Sequence, residues 1–184
     1  MDIIECLHFI HPDIWDREQK ASHPLRRLEL LKEYLFRVNP DFQQYPDESW
    51  LVCDRDDQSF KEEQYDEIVM YCTTHQIRLA ISNPAFQLWL LFHFDSWLRE
   101  DIFEDELNSP QRLEKIERRL KQIPPYYHHG NLVFGNYTNR IKQAIQNSCK
   151  YCTNINQLKT EIGTNFSLLI RSIEKCYVST VSTQ

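Results

Sequence analysis

The chain has 184 residues, 41% of them hydrophobic and 26% charged, values typical of a globular domain long enough to bury a core. The formal net charge of −6 disfavours nonspecific attraction to nucleic acid, although a local basic patch is compatible with it. Only three glycines occur, and neither a P-loop nor a G-x-G-x-x-G motif is present, so we expect no nucleotide site of those kinds.

Cysteine usage and hydropathy predict the compartment. Six cysteines occur without a signal peptide or a stretch as long as a membrane span, which predicts a cytoplasmic protein with free thiols and no membrane partner. Cys149 and Cys152 form a lone C-x-x-C, and zinc would require a second ligand pair, such as His128 and His129 folded back. We therefore interpret this motif as part of a helix.

The hydrophobic pattern of the N-terminal half predicts alternating helices and strands. The predicted elements are a helix over 23–37, a strand over 48–53, a helix over 60–75, a strand over 77–81 and a helix over 84–98. A helix between two short strands is typical of a parallel crossover, which places functional groups at the carboxyl ends of the strands. Because Asp54, Asp56, Ser82 and Asn83 follow these strands, we expect them to line one cleft.

The C-terminal half is predicted to be mostly helical. An acidic connection over 101–108 precedes helices over 109–122, 136–151 and 165–177, with a shorter helical piece over 155–162. Glu114 and Glu117 interrupt a basic run in the first of these helices, which favours a solvated face over a nucleic-acid patch. We predict an α/β core over 1–98, a helical extension packed on it over 99–178, and a disordered tail over 179–184.

Asp54-Arg55-Asp56 is the first motif with chemical meaning. Alternate residues of a strand point to the same side, so Asp54 and Asp56 can share one hard cation such as Mg²⁺. The alternative is an acidic strand-to-helix turn in which Asp57 caps the next helix. The spacing alone leaves both interpretations open.

The second motif is the apolar segment over 82–94. Asn83 and Gln87 are four residues apart and lie on one face near the predicted helix start, and His93 follows near its other end. These polar side chains predict a ligand site, or else a capped helix whose polar groups are satisfied by local hydrogen bonds.

Together, Cys53-Asp54-Arg55-Asp56 and the run ISNPAFQLWLLFHF over 81–94 resemble the RloB family, whose members are encoded in prokaryotic defence loci. Helical segments over 120–127, 141–148 and 165–173 match in order, so the resemblance covers roughly 48–175. It implies a Toprim-like parallel-sheet core flanked by helices. It also implies cleavage of RNA (tRNA included) or DNA in anti-phage defence, with Mg²⁺ or Mn²⁺ as cofactor. An ABC-like ATPase is the implied protein partner.

The resemblance also implies a set of site residues. Asp54 and Asp56 would be catalytic metal ligands, with Glu5 as a third ligand or base. Contacts to the substrate are expected from Asn83, Gln87, His93, Arg55 and Lys61.

Two departures from the family pattern leave a second hypothesis open. Cys6 follows Glu5 where the family has Glu-Gly, and Gln87 stands where it has glutamate. The amide keeps the shape of a carboxylate and loses its charge. The alternative is therefore a catalytically degenerate Toprim-like module that serves as a sensor or scaffold for a partner ATPase. A plain α/β domain with an acidic turn is the third interpretation, and the oligomeric state is left open.

Overall fold

The structure is a computed structural model that describes residues 25–26, 28–30, 32–33, 48–55, 60–94, 101–124, 127–128, 132–133 and 135–181, the side chains of 101–103 and 176–181 excepted. The residues described within the predicted helix over 23–37 are helical. Across this described part of the chain, no helix is long and apolar enough to cross a membrane.

The described strands form one sheet in the order β1-β2-β3, namely β1 (Trp50–Asp54), β2 (Arg78–Asn83) and β3 (Gly163–Thr164). The Arg78 N–H donates to the Ser49 carbonyl and the Arg55 N–H to the Ser82 carbonyl, each at 2.8 Å. The paired residue numbers increase along both strands, from 49 with 78 to 55 with 82, so β1 and β2 are parallel. The strand–helix–strand pattern predicts this arrangement.

The third strand corrects the expected parallel core. β3 pairs antiparallel with β2, with Thr164 opposite Ser82. The piece over 155–162, predicted to be helical, forms turns instead. The Asn154 side chain contributes to this difference because its Oδ1 accepts the Asn156 N–H at 2.9 Å, a local bond that competes with helix formation.

Besides the helical residues described within 25–33, the helices with assigned bounds are α1 (Glu62–Thr74), α2 (Phe86–Leu91), α3 (Asp101–Leu107), α4 (Arg112–Gln122), α5 (Gly135–Thr138), α6 (Ile141–Ser148) and α7 (Phe166–Val181). Most follow the predicted order with shifted ends. The helix predicted over 136–151 is divided into α5 and α6, and α7 includes the first three residues of the predicted tail.

Helix α3 lies where we predicted an acidic connection. Its Glu106 forms an ion pair with Arg119 of α4, and the side chain of Arg119 is buried. The positive charge of Arg119 compensates the negative charge of Glu106, so this acidic segment can pack as a helix. The buried Arg119 also corrects the prediction that the basic run is a wholly solvated face.

The chain divides into two compact units. The first contains Met1–Val52, Gln58–Leu79 and Leu168–Gln184, and the second contains Cys53–Asp57 and Ala80–Ser167. The predicted boundary between residues 98 and 99 stays a prediction.

In the first unit, α1 buries Tyr65, Ile68 and Cys72. Burial raises the pKa of the Cys72 thiol to about 12, so this thiol stays protonated. Glu48 lies in a separate polar cluster. It accepts hydrogen bonds from Ser172 and, at 3.2 Å, from the Trp50 indole. Glu48 also pairs with Arg78 at 2.9 Å.

In the second unit, α2 is the central apolar helix, with Leu88, Trp89, Leu90 and Leu91 buried. The Trp89 ring stacks on Phe166, with ring centroids 6.0 Å apart. Burying four such side chains contributes about 1.5–3 kcal/mol each to the free energy of unfolding. Hydrophobic burial therefore holds α2 beside the end of β2.

Glu48 gives the first unit a dependence on pH. Its pKa is lowered from 4.5, chiefly by the Ser172 hydrogen bond, with Trp50 and Arg78 also lowering the pKa and burial opposing them. Because the folded pKa is the lower one, the stabilisation is present above the unfolded pKa and is lost as pH falls through the folded value. Glu48→Gln should lower the urea midpoint at neutral pH, and the difference from wild type should shrink below about pH 4.

The effect should stay below about 1 kcal/mol because the Glu48 side chain is 35% exposed and solvent screens its charge. Glu63→Gln, which removes an exposed acid from α1, is the matched control. An equal difference at both pH values would contradict the assignment.

Gly163 is required by a close backbone approach. It has φ +159°, and a Cβ at this position would overlap the carbonyl of Cys152. We expect Gly163→Ala to lower the free energy of unfolding by at least about 2 kcal/mol, since backbone must move to relieve the overlap. Gly135→Ala is the control, because a Cβ there has no atom within 4 Å. Equal stabilities of the two variants in chemical denaturation would disprove the steric argument.

Candidate functional site

The predicted site residues fall into two groups. Glu5, Asp56 and the alternative cap Asp57 lie outside the described residues, so their predicted roles stay predictions. Asp54 and the five predicted substrate contacts are described. Within the described ranges, no group of three or more His, Cys, Asp and Glu side chains is placed to hold a metal ion.

The carboxylate of Asp54 binds the first turn of α2. Asp54 ends β1 and is exposed, and its Oδ1 accepts the Phe86 N–H at 2.8 Å. The N-cap residue Ala85 provides no side-chain cap of its own. Asp54 therefore satisfies an N–H that lacks a partner within the helix, from the neighbouring strand.

Arg55 and Asn83 are held together by a different part of the second unit. The Arg55 Nε donates to the Lys159 carbonyl at 2.9 Å, and the Asn83 Nδ2 donates to the Leu158 carbonyl at 3.0 Å. Both residues are buried, at 4% and 1% exposed. Successive strand residues point to opposite sides, so Arg55 points away from the Asp54 carboxylate. Their side chains thus bind neighbouring carbonyls of one turn, and the cleft expected from sequence stays a prediction.

Gln87 follows Phe86, whose N–H binds Asp54, and its side chain contacts α4 and Tyr127. Its Nε2 donates weakly, at 3.5 Å, to Glu117 Oε1 of α4 and at the same distance to the Tyr127 hydroxyl. Its Oε1 is enclosed and has no hydrogen-bond partner. We call Asp54, Gln87, Glu117 and Tyr127 the Asp54 cluster.

Tyr127 connects the two ends of this cluster electrostatically. Its pKa is raised, chiefly by burial and further by the negative charges of Glu117 and Asp54, whereas the Gln87 hydrogen bond lowers it. The phenol therefore keeps its proton at neutral pH.

Sequence reasoning did not assign Glu117 and Tyr127 to the site. Glu117 was interpreted as an interruption of a basic, solvated helix face. Its side chain is 27% exposed, and Oε2 lies 3.8 Å from the Lys121 Nζ while Oε1 faces Gln87. The amide at position 87 was a partial signal, because a half-buried amide favours a polar partner.

His93 and Lys61 have mainly local contacts. The His93 Nδ1 lies 3.0 Å from the Trp89 carbonyl and 3.2 Å from that of Leu90, so it donates to these oxygens near the end of α2. Burial lowers the pKa of His93 and favours the neutral ring. These bonds help explain why α2 is shorter than predicted, because its last carbonyls bind a side chain. Lys61 is exposed at the start of α1, where its N–H donates to Gln64 Oε1 at 3.0 Å.

The donor chemistry of the Asp54 cluster fits a divalent cation. Mg²⁺ and Mn²⁺ prefer oxygen ligands, and Mg²⁺ commonly uses one or two carboxylates while keeping several waters. The described residues supply the carboxylates of Asp54 and Glu117 and the unpartnered amide oxygen of Gln87. An amide oxygen without a donor is available to a cation.

The capping role of Asp54 can be separated from its charge. Asp54→Ala removes the acceptor of the Phe86 N–H and should lower the free energy of unfolding by about 1 kcal/mol. Asp54→Asn retains a carbonyl oxygen at this position and should lower it by less. Thermal and urea denaturation of the two variants check this order, and equal losses would contradict the cap.

Comparison with known proteins gives one family. No curated protein and no solved structure matches the chain. The sequence model of the RloB family, described as RloB-like protein, matches residues 5–173. This match spans most of the 184 residues, and it includes both β1 with Asp54 and the whole of α4 with Glu117. The chain therefore belongs to the RloB-like protein family.

Proposed function

We propose that this protein is a Toprim-like nuclease of the cytoplasm that uses Mg²⁺ or Mn²⁺ to cleave the phosphodiester backbone of RNA or DNA in defence against phage. The observation that carries the proposal is the exposed Asp54 carboxylate, which ends a parallel strand and accepts the Phe86 N–H at the start of α2. Ligands of parallel α/β sheets bind at the carboxyl ends of the strands. Membership of the RloB-like family adds support.

Each residue has a role in this proposal. Asp54 would hold the cation through the carboxylate that also binds the Phe86 N–H. Asp56, two residues on, would add a second carboxylate on the same side, and Glu5 a third ligand or base. When bound, the cation supplies positive charge that neutralises the scissile phosphate.

The neighbouring side chains set the surroundings of that carboxylate. The Tyr127 hydroxyl keeps its proton because burial and two carboxylates raise its pKa. Arg55 and Asn83 would hold the strand ends in place through the backbone of Leu158 and Lys159. An ABC-like ATPase would be the protein partner.

A second candidate function is a catalytically degenerate module that serves as a sensor or scaffold for that ATPase. It is favoured by the neutral side chain at position 87, which donates to Glu117 and brings no charge of its own. A site with fewer ionised ligands binds a divalent cation more weakly.

The test is metal-dependent cleavage of a panel of tRNA, single-stranded RNA and DNA. The protein should be assayed alone and with any ATPase encoded beside it, in Mg²⁺ and in Mn²⁺. Asp54→Asn should reduce cleavage by about 100-fold or more, because it removes a charge that the cation needs and leaves the cap in place.

Asp105→Asn is the matched control, since it removes an exposed acid from α3. Cleavage that survives Asp54→Asn would contradict the assignment of the metal to Asp54. Absence of cleavage in every setting, with no metal binding by calorimetry and with retained binding to the ATPase, would support the scaffold in place of the nuclease.

A further inference from the structure

Glu48 brings aromatic and basic side chains of the first unit together at its surface. Its carboxylate pairs with Arg78 of β2 at 2.9 Å, and it accepts hydrogen bonds from the Trp50 indole of β1 and the Ser172 hydroxyl of α7. The positive charge of Lys175, further along α7, lowers the pKa of Glu48 and therefore also lies near it. Two strands and a helix thus contribute to one polar cluster.

Arg78 lies over the Trp50 ring in this cluster. The guanidinium carbon is 5.4 Å from the ring centroid, close enough for an attraction between the cation and the π system. The ion pair with Glu48 fixes one end of the guanidinium, and the Arg78 side chain is still 54% exposed. An arginine that is held by two neighbours and remains exposed can present its planar group to a ligand with little loss of conformational entropy.

Helix α7 adds two cations that are not engaged by a carboxylate. Arg171 and Lys175 are exposed and four residues apart, so they share a face of the helix. In the described part of the chain, neither side chain forms an ion pair or a hydrogen bond. Arg78 is the third positive charge of this region. Glu48 and the exposed Glu174 offset two of the three, which leaves a local positive excess in a chain whose net charge is −6.

The group formed by Trp50, Arg78, Arg171 and Lys175 is called the Arg78 surface below. Phosphates bind lysine and arginine through charge, and unpaired bases stack on aromatic rings and guanidinium planes. We propose that the Arg78 surface binds single-stranded nucleic acid, with a base stacked on the Arg78–Trp50 pair and phosphates bound by α7. The inference rests on the nucleic-acid substrate of the proposed function, and it requires neither a metal ion nor cleavage. A duplex fits this surface less well, because its bases are already stacked on each other.

The experiment measures the affinity of the full chain for fluorescein-labelled single-stranded oligonucleotides, as RNA and as DNA, by fluorescence anisotropy. EDTA is present, so that binding is measured without cleavage, and the NaCl concentration is varied. We expect Arg171→Gln and Lys175→Gln each to reduce the slope of log affinity against log salt by about 0.7, because each removes one phosphate contact. Each variant should bind about fivefold more weakly than wild type at roughly 0.1 M NaCl.

Arg78→Lys tests the stacked base separately. It keeps the positive charge and loses the planar guanidinium, so the affinity should fall about tenfold while the salt slope stays unchanged. Lys142→Gln, which removes an exposed cation from α6, is the control and should bind as wild type does. A duplex of the same sequence should bind more weakly than the single strand. Circular dichroism and urea midpoints of each variant verify folding.

The outcomes separate the surface from the function on which it rests. Losses in the three surface variants, with the expected salt slopes, support the surface whether or not the protein cleaves the strand in Mg²⁺. Wild-type affinity in all three variants overturns the surface and leaves the nucleic-acid substrate in place. Equal binding of duplex and single strand, with Arg78→Lys unaffected, overturns the stacked base.

A last outcome overturns both proposals. If wild type binds neither RNA nor DNA, the surface does not bind nucleic acid and the proposed substrate is also wrong. Vesicles of phosphatidylglycerol are the comparison probe in that case. Binding to them that the same variants weaken would assign the cations of α7 to a lipid surface in place of a nucleic acid.

Discussion

The hydrogen bond from the Phe86 N–H to the Asp54 carboxylate is the contact on which the candidate site depends. It joins the end of β1 to the first turn of α2, and it orders elements that are separated by more than thirty residues in sequence. The helix beyond this contact is buried, so its start cannot shift without disturbing the apolar side chains of α2. Gln87, the next residue of this helix, is held by the packing of the second unit, and Glu117 of α4 contacts it.

A second polar network holds the other strand ends. The Asn165 side chain accepts the Ile81 N–H at 2.7 Å, and the Ser82 and Thr164 hydroxyls are 2.8 Å apart. These bonds bind β2 to the segment around β3, and Arg55 and Asn83 add bonds to the neighbouring turns. These buried hydrogen bonds favour one arrangement of the strand ends. Asp54 is thus carried on a rigid frame.

The sequence predicted the parallel pair and the position of Asp54 because both depend on local patterns, an apolar strand followed by acids and a helix between strands. The sequence did not predict three other features, because each depends on a partner that is distant in the chain. β3 is only two residues long and exists through its pairing with Ser82 and Asn83. α3 is stabilised by Arg119 of the next helix. Glu117 contacts Gln87 only because α4 packs against this part of the second unit. The hydrophobic periodicity of a helix predicts which of its faces is apolar, and it does not predict which polar side chains of different helices contact each other.

Asp54 has an observed role as a helix cap and a proposed role as a metal ligand, and this pair of roles has a consequence for how such chains change over evolutionary time. An aspartate that serves catalysis alone is free to mutate once the reaction is no longer under selection. Asp54 also satisfies the Phe86 N–H, and losing such a cap lowers the free energy of unfolding by about 1 kcal/mol. Selection for a folded protein would then retain the acid in a descendant that had lost its chemistry. Retention of an acid at this position is consequently a weak marker of activity among relatives. Loss of residues that contact only the ligand would be the better marker of lost activity.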